Sequence, residues 1–222
     1  MMPAQYDSDA LRHAVRGALD FSDGLWYRDI LKRDVCGCAL SAEEERAVID
    51  GAMRTAAAMA RRITAQYGLL APAELAGKLR LKIGHSAGEL REPYLYMGLY
   101  EPGSRTITLN DSAISLVRQF IAANGLDGLV PSAAISRLVL LHEVFHALEE
   151  ETPDIYTRSR MLERKALGVF AYRRGLAGAS EVGAVHFSKE MAGISYSPRI
   201  YERFLFMAAG RQLSIDFLSL NV

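Results

Sequence analysis

The sequence predicts an α+β domain, and three observations carry the prediction. A long segment before residue 70 repeats its apolar residues at helical spacing. Between residues 81 and 109 the period shortens to that of strands. After that the helical period returns. The 222 residues suit one large domain or a domain with an appendage, and half of them are hydrophobic, enough for a substantial core. Lys+Arg and Asp+Glu number 26 each, so no net charge draws the chain to nucleic acid or to an anionic membrane, and neither is an expected partner. No run approaches the ~20 apolar residues of a membrane span. The start, MMPAQYDSDALRHAVRGALD, lacks a basic segment followed by an apolar one. The expectation is a soluble, cytoplasmic protein. Its two cysteines, Cys36 and Cys38, stand one residue apart, where a disulfide closes almost no loop. They are read as reduced.

Residues 1–40 read as a polar lead-in with one helix at about Asp9–Leu19, and residues 41–222 as a single domain. Ser41-x-x-Glu44 is a capping box, and Glu43, Glu44 and Glu45 suit the positive end of a helix. Ile49, Met53, Ala56, Met59, Ile63 and Tyr67 follow at helical spacing, and Gly68 ends the run. A short helix is predicted at Pro72–Leu79. Strands are predicted at Leu81–Ile83, Tyr94–Tyr100 and Arg105–Leu109, a small sheet of about three strands. Glu101-Pro102-Gly103-Ser104 turns the last two into a hairpin. Tyr94, Tyr96 and Tyr100 share one strand face, for packing or for lining a cleft. Helix resumes at about Ser112–Ala123, and again from Pro131-Ser132 until Pro153 stops it. Residues 154–179 carry Arg158, Arg160, Arg164, Lys165, Arg173 and Arg174, and read as an irregular or hairpin segment. Two more helices are predicted, at about Ser180–Ala192 and Pro198–Ala209.

The chemistry gathers at LVLLHEVFHALEEE, residues 138–151. His142-Glu143-Val144-Phe145-His146 fits H-E-x-x-H. Histidines at i and i+4 lie on one helical face and can hold one zinc ion, at Zn–N distances of ~2.0–2.1 Å. Glu143 lies one residue round, beside the ion, where a base can take a proton from an attacking water. A catalytic zinc needs a third protein ligand and an open position. The extended H-E-x-x-H-x-x-G-x-x-H motif is excluded, because Glu149 and Thr152 hold its last two positions. Glu149 is on the histidine stripe, but three ligands in line along one straight helix cannot surround an ion. Glu149-Glu150-Glu151 reads as a solvated acidic cap at an unfavourable helix end, with a role behind the ligands as the alternative for Glu149. Glu181 is the better third ligand. Its helix carries Ala184, Phe187, Ser188 and Met191 on the same face, and a carboxylate on a buried face needs a cation. Gly183 and Ala184 let that helix approach the histidine helix closely. His186 and Tyr196 are candidate oxyanion donors. A thiolate from Cys36 or Cys38 plugging the open position is the sharper, less favoured reading of that pair.

Glu181-x-x-Ala184-x-x-Phe187-Ser188-x-x-Met191 resembles the E-x-x-A-x-x-F-A-x-x-L pattern of the ImmA/IrrE family of zincin-like metallopeptidases. GLYEPGSRTITLND, residues 98–111, is similar to that family's hairpin ahead of H-E-x-x-H. PAELAGKLRLKI, residues 72–83, is similar to its opening helix and strand. The likeness covers roughly residues 68–195. It departs from the family in the 34-residue gap between His146 and Glu181, and in His186 standing one place later than the histidine of E-I-A-A-H-A-F relatives. The resemblance implies a minimal zincin-like domain, with a small twisted sheet on the histidine helix. It implies Zn2+ held by His142, His146 and Glu181, with Glu143 as general base. The expected activity is hydrolysis of a peptide or protein substrate, and the hairpin strand at the cleft's edge is a place where an extended peptide could bind by strand addition. A zinc-stabilised regulatory or binding protein without turnover, and a zinc hydrolase of other substrates, are the alternatives.

Overall fold

The helix that opens at Ser41 is the spine of the fold. The computed structural model describes residues 6–34, 40–88, 90, 95–152, 154–159, 161–166, 170–209 and 214–220, with the backbone alone for 161–166 and 170–174. Helix α1 spans Ser8–Leu19, α2 Asp23–Arg33 and α3 Ala42–Tyr67. The capping box at the start of α3 forms: Ser41 Oγ accepts the Glu44 N–H at 3.2 Å, and Glu44 accepts the Ser41 N–H at 2.8 Å. Gly68 ends α3 at φ 76°, a backbone conformation that side chains disfavour. Along α3, Ile49, Ala56, Met59 and Ile63 are buried, as their spacing predicts.

Two helices precede α3, which corrects the expected polar lead-in with one helix. Trp26, Tyr27, Ile30 and Leu31 of α2 are buried. Their i, i+1, i+4, i+5 spacing is a helical stripe set among five charged residues, Asp23, Arg28, Asp29, Lys32 and Arg33, and it docks on the ligand-bearing helix described below. Helix α1 packs on the short 3₁₀ segment Ile215–Ser219, so both ends of the described chain join one core.

Helix α4 (Pro72–Lys78) leads to a three-stranded sheet of β1 (Lys82–Ser86), β2 (Gly98–Glu101) and β3 (Thr106–Asn110). Strand β3 is central, parallel to β1 and antiparallel to β2, which leaves β2 as an edge. The predicted hairpin is present. Its first strand is shorter than expected, and Tyr94 lies outside the described residues. Buried Asn110 locks the approach to β2: its Nδ2 donates to Tyr96 O at 3.0 Å, while its Oδ1 accepts the Ala113 N–H and caps α5 (Asp111–Ala123).

A 3₁₀ turn, Ser132–Ala134, opens α6 (Ile135–Glu150). Helix α6 is apolar nearly all round and is buried by the sheet on one side and by α8 (Ala177–Ala192) on another. Pro153, its expected stop, lies outside the described residues. Helix α7 (Tyr156–Ser159) is followed by the antiparallel pair β4 (Met161–Ala166) and β5 (Phe170–Gly175), so the hairpin alternative holds for this segment. Arg160 and the side chains of Arg164, Lys165, Arg173 and Arg174 lie outside the described residues. Helix α8 starts at Ala177, ahead of the predicted Ser180, and α9 spans Arg199–Ala208. The expected close approach of α6 and α8 is real: a Cβ on Gly183 would stand 2.7 Å from the Phe145 ring. Among the described residues no helix is long and apolar enough to cross a membrane.

Candidate metal centre

Helix α6 supplies the first half of the centre. One helical turn separates His142 from His146, and their Nε2 atoms lie 3.1 Å apart. Helix α8 crosses α6 closely because Gly183 allows it, and this brings Glu181 onto the pair. Glu181 Oε2 is 3.4 Å from His142 Nε2, and Oε1 is 3.6 Å from His146 Nε2. Donors at ~2.0–2.1 Å around a tetrahedral ion stand about 3.3 Å from one another. The histidine separation falls near that edge length, and each histidine has a different Glu181 oxygen at a similar distance. One donor atom from each residue lies within 4.8 Å of the other two, so the three residues can converge on a single ion such as zinc and leave a position open. The donor set, two imidazoles and one carboxylate, suits the same ion.

The electrostatics are those of a site made for positive charge. Burial works against a charged Glu181, but His142, His146 and the Arg199 guanidinium outweigh it and hold the carboxyl down at about 2. Burial also works against a charged His146. Its Glu149 partner and the charges of Glu181 and Glu143 outweigh that, and raise it to about 9. A proton on His146 thus occupies a place that a bound cation would take instead. Glu143 is 7% exposed, wedged between α6 and β2. Burial drives its carboxyl above the usual range, and the two histidines and the Tyr100 N–H, which it accepts, pull it partly back. Glu181 itself is 48% exposed, which corrects its expected burial: Ala184, Phe187, Ser188 and Met191 of α8 are buried, whereas the Glu181 carboxylate opens into a cavity.

That cavity, of about 570 Å³, is shared by His142, Glu143, His146 and Glu181. The four residues that the sequence assigns to metal and base therefore meet in one place. The other candidates do not join them. His186 is buried on the far side of α8, its Nδ1 2.9 Å from the Tyr27 hydroxyl of α2, which corrects its candidacy as an oxyanion donor. The Tyr196 hydroxyl bonds Tyr201 at 2.9 Å, and Tyr201 in turn donates to Pro131 O at 2.8 Å, so Tyr196 stands one layer behind the cavity wall. Tyr96 and Tyr100 do line the cavity. Cys36 and Cys38 lie outside the described residues.

Glu149 corrects the solvated-cap reading. It is 4% exposed, and its Oε2 is 3.5 Å from His146 Nδ1. Ser180 donates to the same oxygen at 2.6 Å, and its Oγ is 3.3 Å from His146 Nδ1. These partners lower the Glu149 carboxyl against the pull of burial. An acceptor at Nδ1 fixes the proton there and leaves Nε2 free toward Glu181. Glu150, by contrast, pairs at the surface with Arg158.

Sequence reasoning missed Ser180 and Arg199. Ser180 left no signal beyond standing next to Glu181. Arg199 left a faint one: a cation in the first turn of a helix opposes the helix dipole and implies a tertiary partner. It bonds Glu202, and Asp29 of α2 at 3.3 Å, at the rim of the cavity. Comparison with protein-family profiles, curated proteins and solved structures returned no match for this chain.

Proposed function

We propose that the chain is a zinc-dependent peptidase of the cytoplasm that cleaves extended peptide segments with water. The observation that carries this reading is the convergence of His142, His146 and Glu181, one donor atom from each within 4.8 Å of the others, with a buried carboxylate beside them on the wall of an open cleft. A metal site serving only the fold has no use for Glu143. The resemblance of residues 68–195 to the ImmA/IrrE family and its zincin fold supports the same assignment, with His142, His146 and Glu181 as the residues that would hold the ion.

Zinc held by His142, His146 and Glu181 would supply a Lewis acid able to polarise a carbonyl and to make water acidic enough to attack near neutral pH. Glu143 accepts the proton of the attacking water. As the C–N bond breaks, it passes that proton to the departing nitrogen, so that one carboxylic acid and one amine leave, and the acid's remaining proton then goes to the amine. Its raised pKa suits it to that exchange, since it makes the carboxylate a stronger base toward the water's proton than an ordinary carboxylate is. The edge of β2 orients the substrate. Asn110 N–H bonds Met97 O, so alternation along the ladder turns the backbone groups of Gly98 and Tyr100 away from β3; the Tyr100 N–H is taken by Glu143, which leaves the Gly98 groups and the Tyr100 carbonyl for a substrate. Cys36 and Cys38 would stay reduced in that compartment.

Metal analysis of purified protein together with two variants tests the proposal. Wild type is expected to hold one zinc per chain, Glu181→Ala to lose it, and Glu143→Gln to keep it while losing all turnover. Zinc held equally well by Glu181→Ala would sink the ligand set. Full activity in Glu143→Gln would sink the base.

A further inference from the structure

The 34 residues between His146 and Glu181 are where this chain departs from the family it resembles, and a hairpin fills part of them. Strands β4 and β5 pair antiparallel, and their contacts are chiefly with one another. A two-stranded ribbon that packs chiefly on itself adds little to the stability of a fold. The core therefore does not account for its sequence.

The charge of that sequence is lopsided. Residues 158–174 hold six of the chain's 26 bases, Arg158, Arg160, Arg164, Lys165, Arg173 and Arg174, and one of its 26 acids, Glu163. The segment is thus five charges positive, and the remainder of the chain five negative. Arg158 already pairs with Glu150. The ladder register sets Glu163 opposite Arg173, and it puts Leu162, Arg164 and Ala166 on the same face as Phe170, Tyr172 and Arg174. That face carries two arginines and no acid.

The base of the ribbon stands at the site. Gly175, its last residue, and Arg158, ahead of its first strand, line a second cavity of about 430 Å³. This cavity shares Tyr100, His146 and Ser180 with the cavity of the metal centre. At about 3.3 Å per residue, strands of six residues reach about 20 Å from that base. An extended polypeptide has the same rise, so a chain lying in the cleft can meet the ribbon several residues away from the metal centre.

We infer that the β4–β5 ribbon is a docking arm for an acidic segment of the polypeptide substrate, so that the enzyme prefers chains with a cluster of Asp and Glu several residues from the cut. The inference rests on the peptidase reading for what happens to the bound chain, and on the ribbon's charge and position for what is bound. A peptide suits the arm better than a nucleic acid. A polynucleotide carries a charge at every step and would lay phosphates along the negative remainder of the chain as well. A peptide can confine its charges to the stretch that meets the arm. Several exposed ion pairs of modest strength together correspond to a preference of about tenfold, which salt weakens.

Two measurements separate this inference from the reading beneath it. In the first, zinc-loaded Glu143→Gln is titrated by fluorescence anisotropy with peptide pools that have a randomised core and a terminal block of either Glu or Gln. A single-stranded oligonucleotide is titrated alongside. The series is repeated at high salt, and with Arg164→Glu and Arg174→Glu added. In the second, zinc-loaded wild type is given the two pools in competition, and the products are counted by mass spectrometry. The expected result is that the Glu pool binds about tenfold more tightly than the Gln pool and is cleaved faster by a similar factor. High salt and the charge reversals should each abolish that margin, and the salt series alone decides where the reversed variant does not fold. Equal binding of the two pools, a margin that survives high salt, or tighter binding of the oligonucleotide overturns the inference. Cleavage of both pools alike overturns it too, and leaves the peptidase reading standing. Acid-selective, salt-sensitive binding without any cleavage by wild type keeps the arm and overturns the peptidase. Zinc-loaded protein that neither cleaves nor binds either pool overturns both.

Discussion

Glu149 is the residue whose role turns most sharply on its surroundings. It sits in the last turn of α6, where a helix disfavours negative charge, and that local rule is what points to a solvated cap. The structure instead buries it behind His146 with Ser180 as a second partner. A carboxylate in that position orients the imidazole and raises its basicity toward a metal. Glu149→Gln is therefore expected to weaken zinc affinity by about 10- to 100-fold. Glu150→Gln, one residue on but at the surface, is expected to leave it unchanged. Competition with a coloured chelator measures both, and equal affinities in the two variants would remove Glu149 from the site. His142, Glu143 and His146 were legible because their relation is set within one helical turn. Glu149, three residues after His146 on the same helix, was legible only as the less favoured alternative, and Ser180 was not legible, because its contact crosses from one helix to another.

At the scale of elements, the position of Glu181 depends on α2. The residue before α8 is Leu176, which has no side-chain acceptor for the exposed N–H groups of the first turn. Asp34, just beyond α2, supplies one from a distance: its Oδ2 accepts the Gly178 N–H at 2.6 Å. Gly178 is tight against Leu31, with a Cβ there 2.9 Å from the Leu31 Cδ2. Tyr27 bonds His186, and Asp23 pairs with Lys189 at 2.7 Å, so α2 contacts α8 along its whole length. Asp34→Ala is expected to cost about 1 kcal/mol of folding stability, the usual loss of a helix cap. It is also expected to weaken zinc binding, since the first turn of α8 carries Glu181 directly after it. Asp34→Asn, which keeps the acceptor, should recover most of both. Urea unfolding and zinc titration read the two effects separately. A loss of stability with no change in zinc affinity would make the α2 contact purely structural.

For the whole molecule, the metal centre joins two central helices, so its occupancy bears on the stability of the entire fold. In the metal-free protein His146 is raised from 6.5 to about 9. A group that binds its proton more tightly when folded stabilises the fold fully below its unfolded pKa and loses that contribution as the pH rises through its folded one. The metal-free chain is thus expected to lose stability between about pH 6.5 and pH 9 on account of His146. Zinc should reverse the trend, because it competes with the same proton and binds better as that proton leaves. At about 1,000 times its dissociation constant, zinc adds about 4 kcal/mol, or a rise of about 8–16 °C in Tm for a chain of this size. Thermal melts at pH 6.5 and pH 9, with and without zinc, check the sign. A zinc-induced rise that shrinks toward pH 9 would contradict the arrangement.

The sequence by itself determined whatever is decided within a few residues. The capping box at Ser41, the hairpin turn ahead of β3 and the pairing of His142 with His146 all follow from backbone period and local hydrogen bonding, and all appear as expected. It also pointed to Glu181, because a carboxylate among small and apolar residues at helical spacing needs a cation. What only the tertiary structure decided is which side chains burial brings together. It buried Glu149 against Ser180, turned His186 toward Tyr27, and made α2 a support for the ligand helix. The physical reason is that the cost of burying a polar group depends on partners that packing delivers from far along the chain, and no local pattern records where those partners will come from.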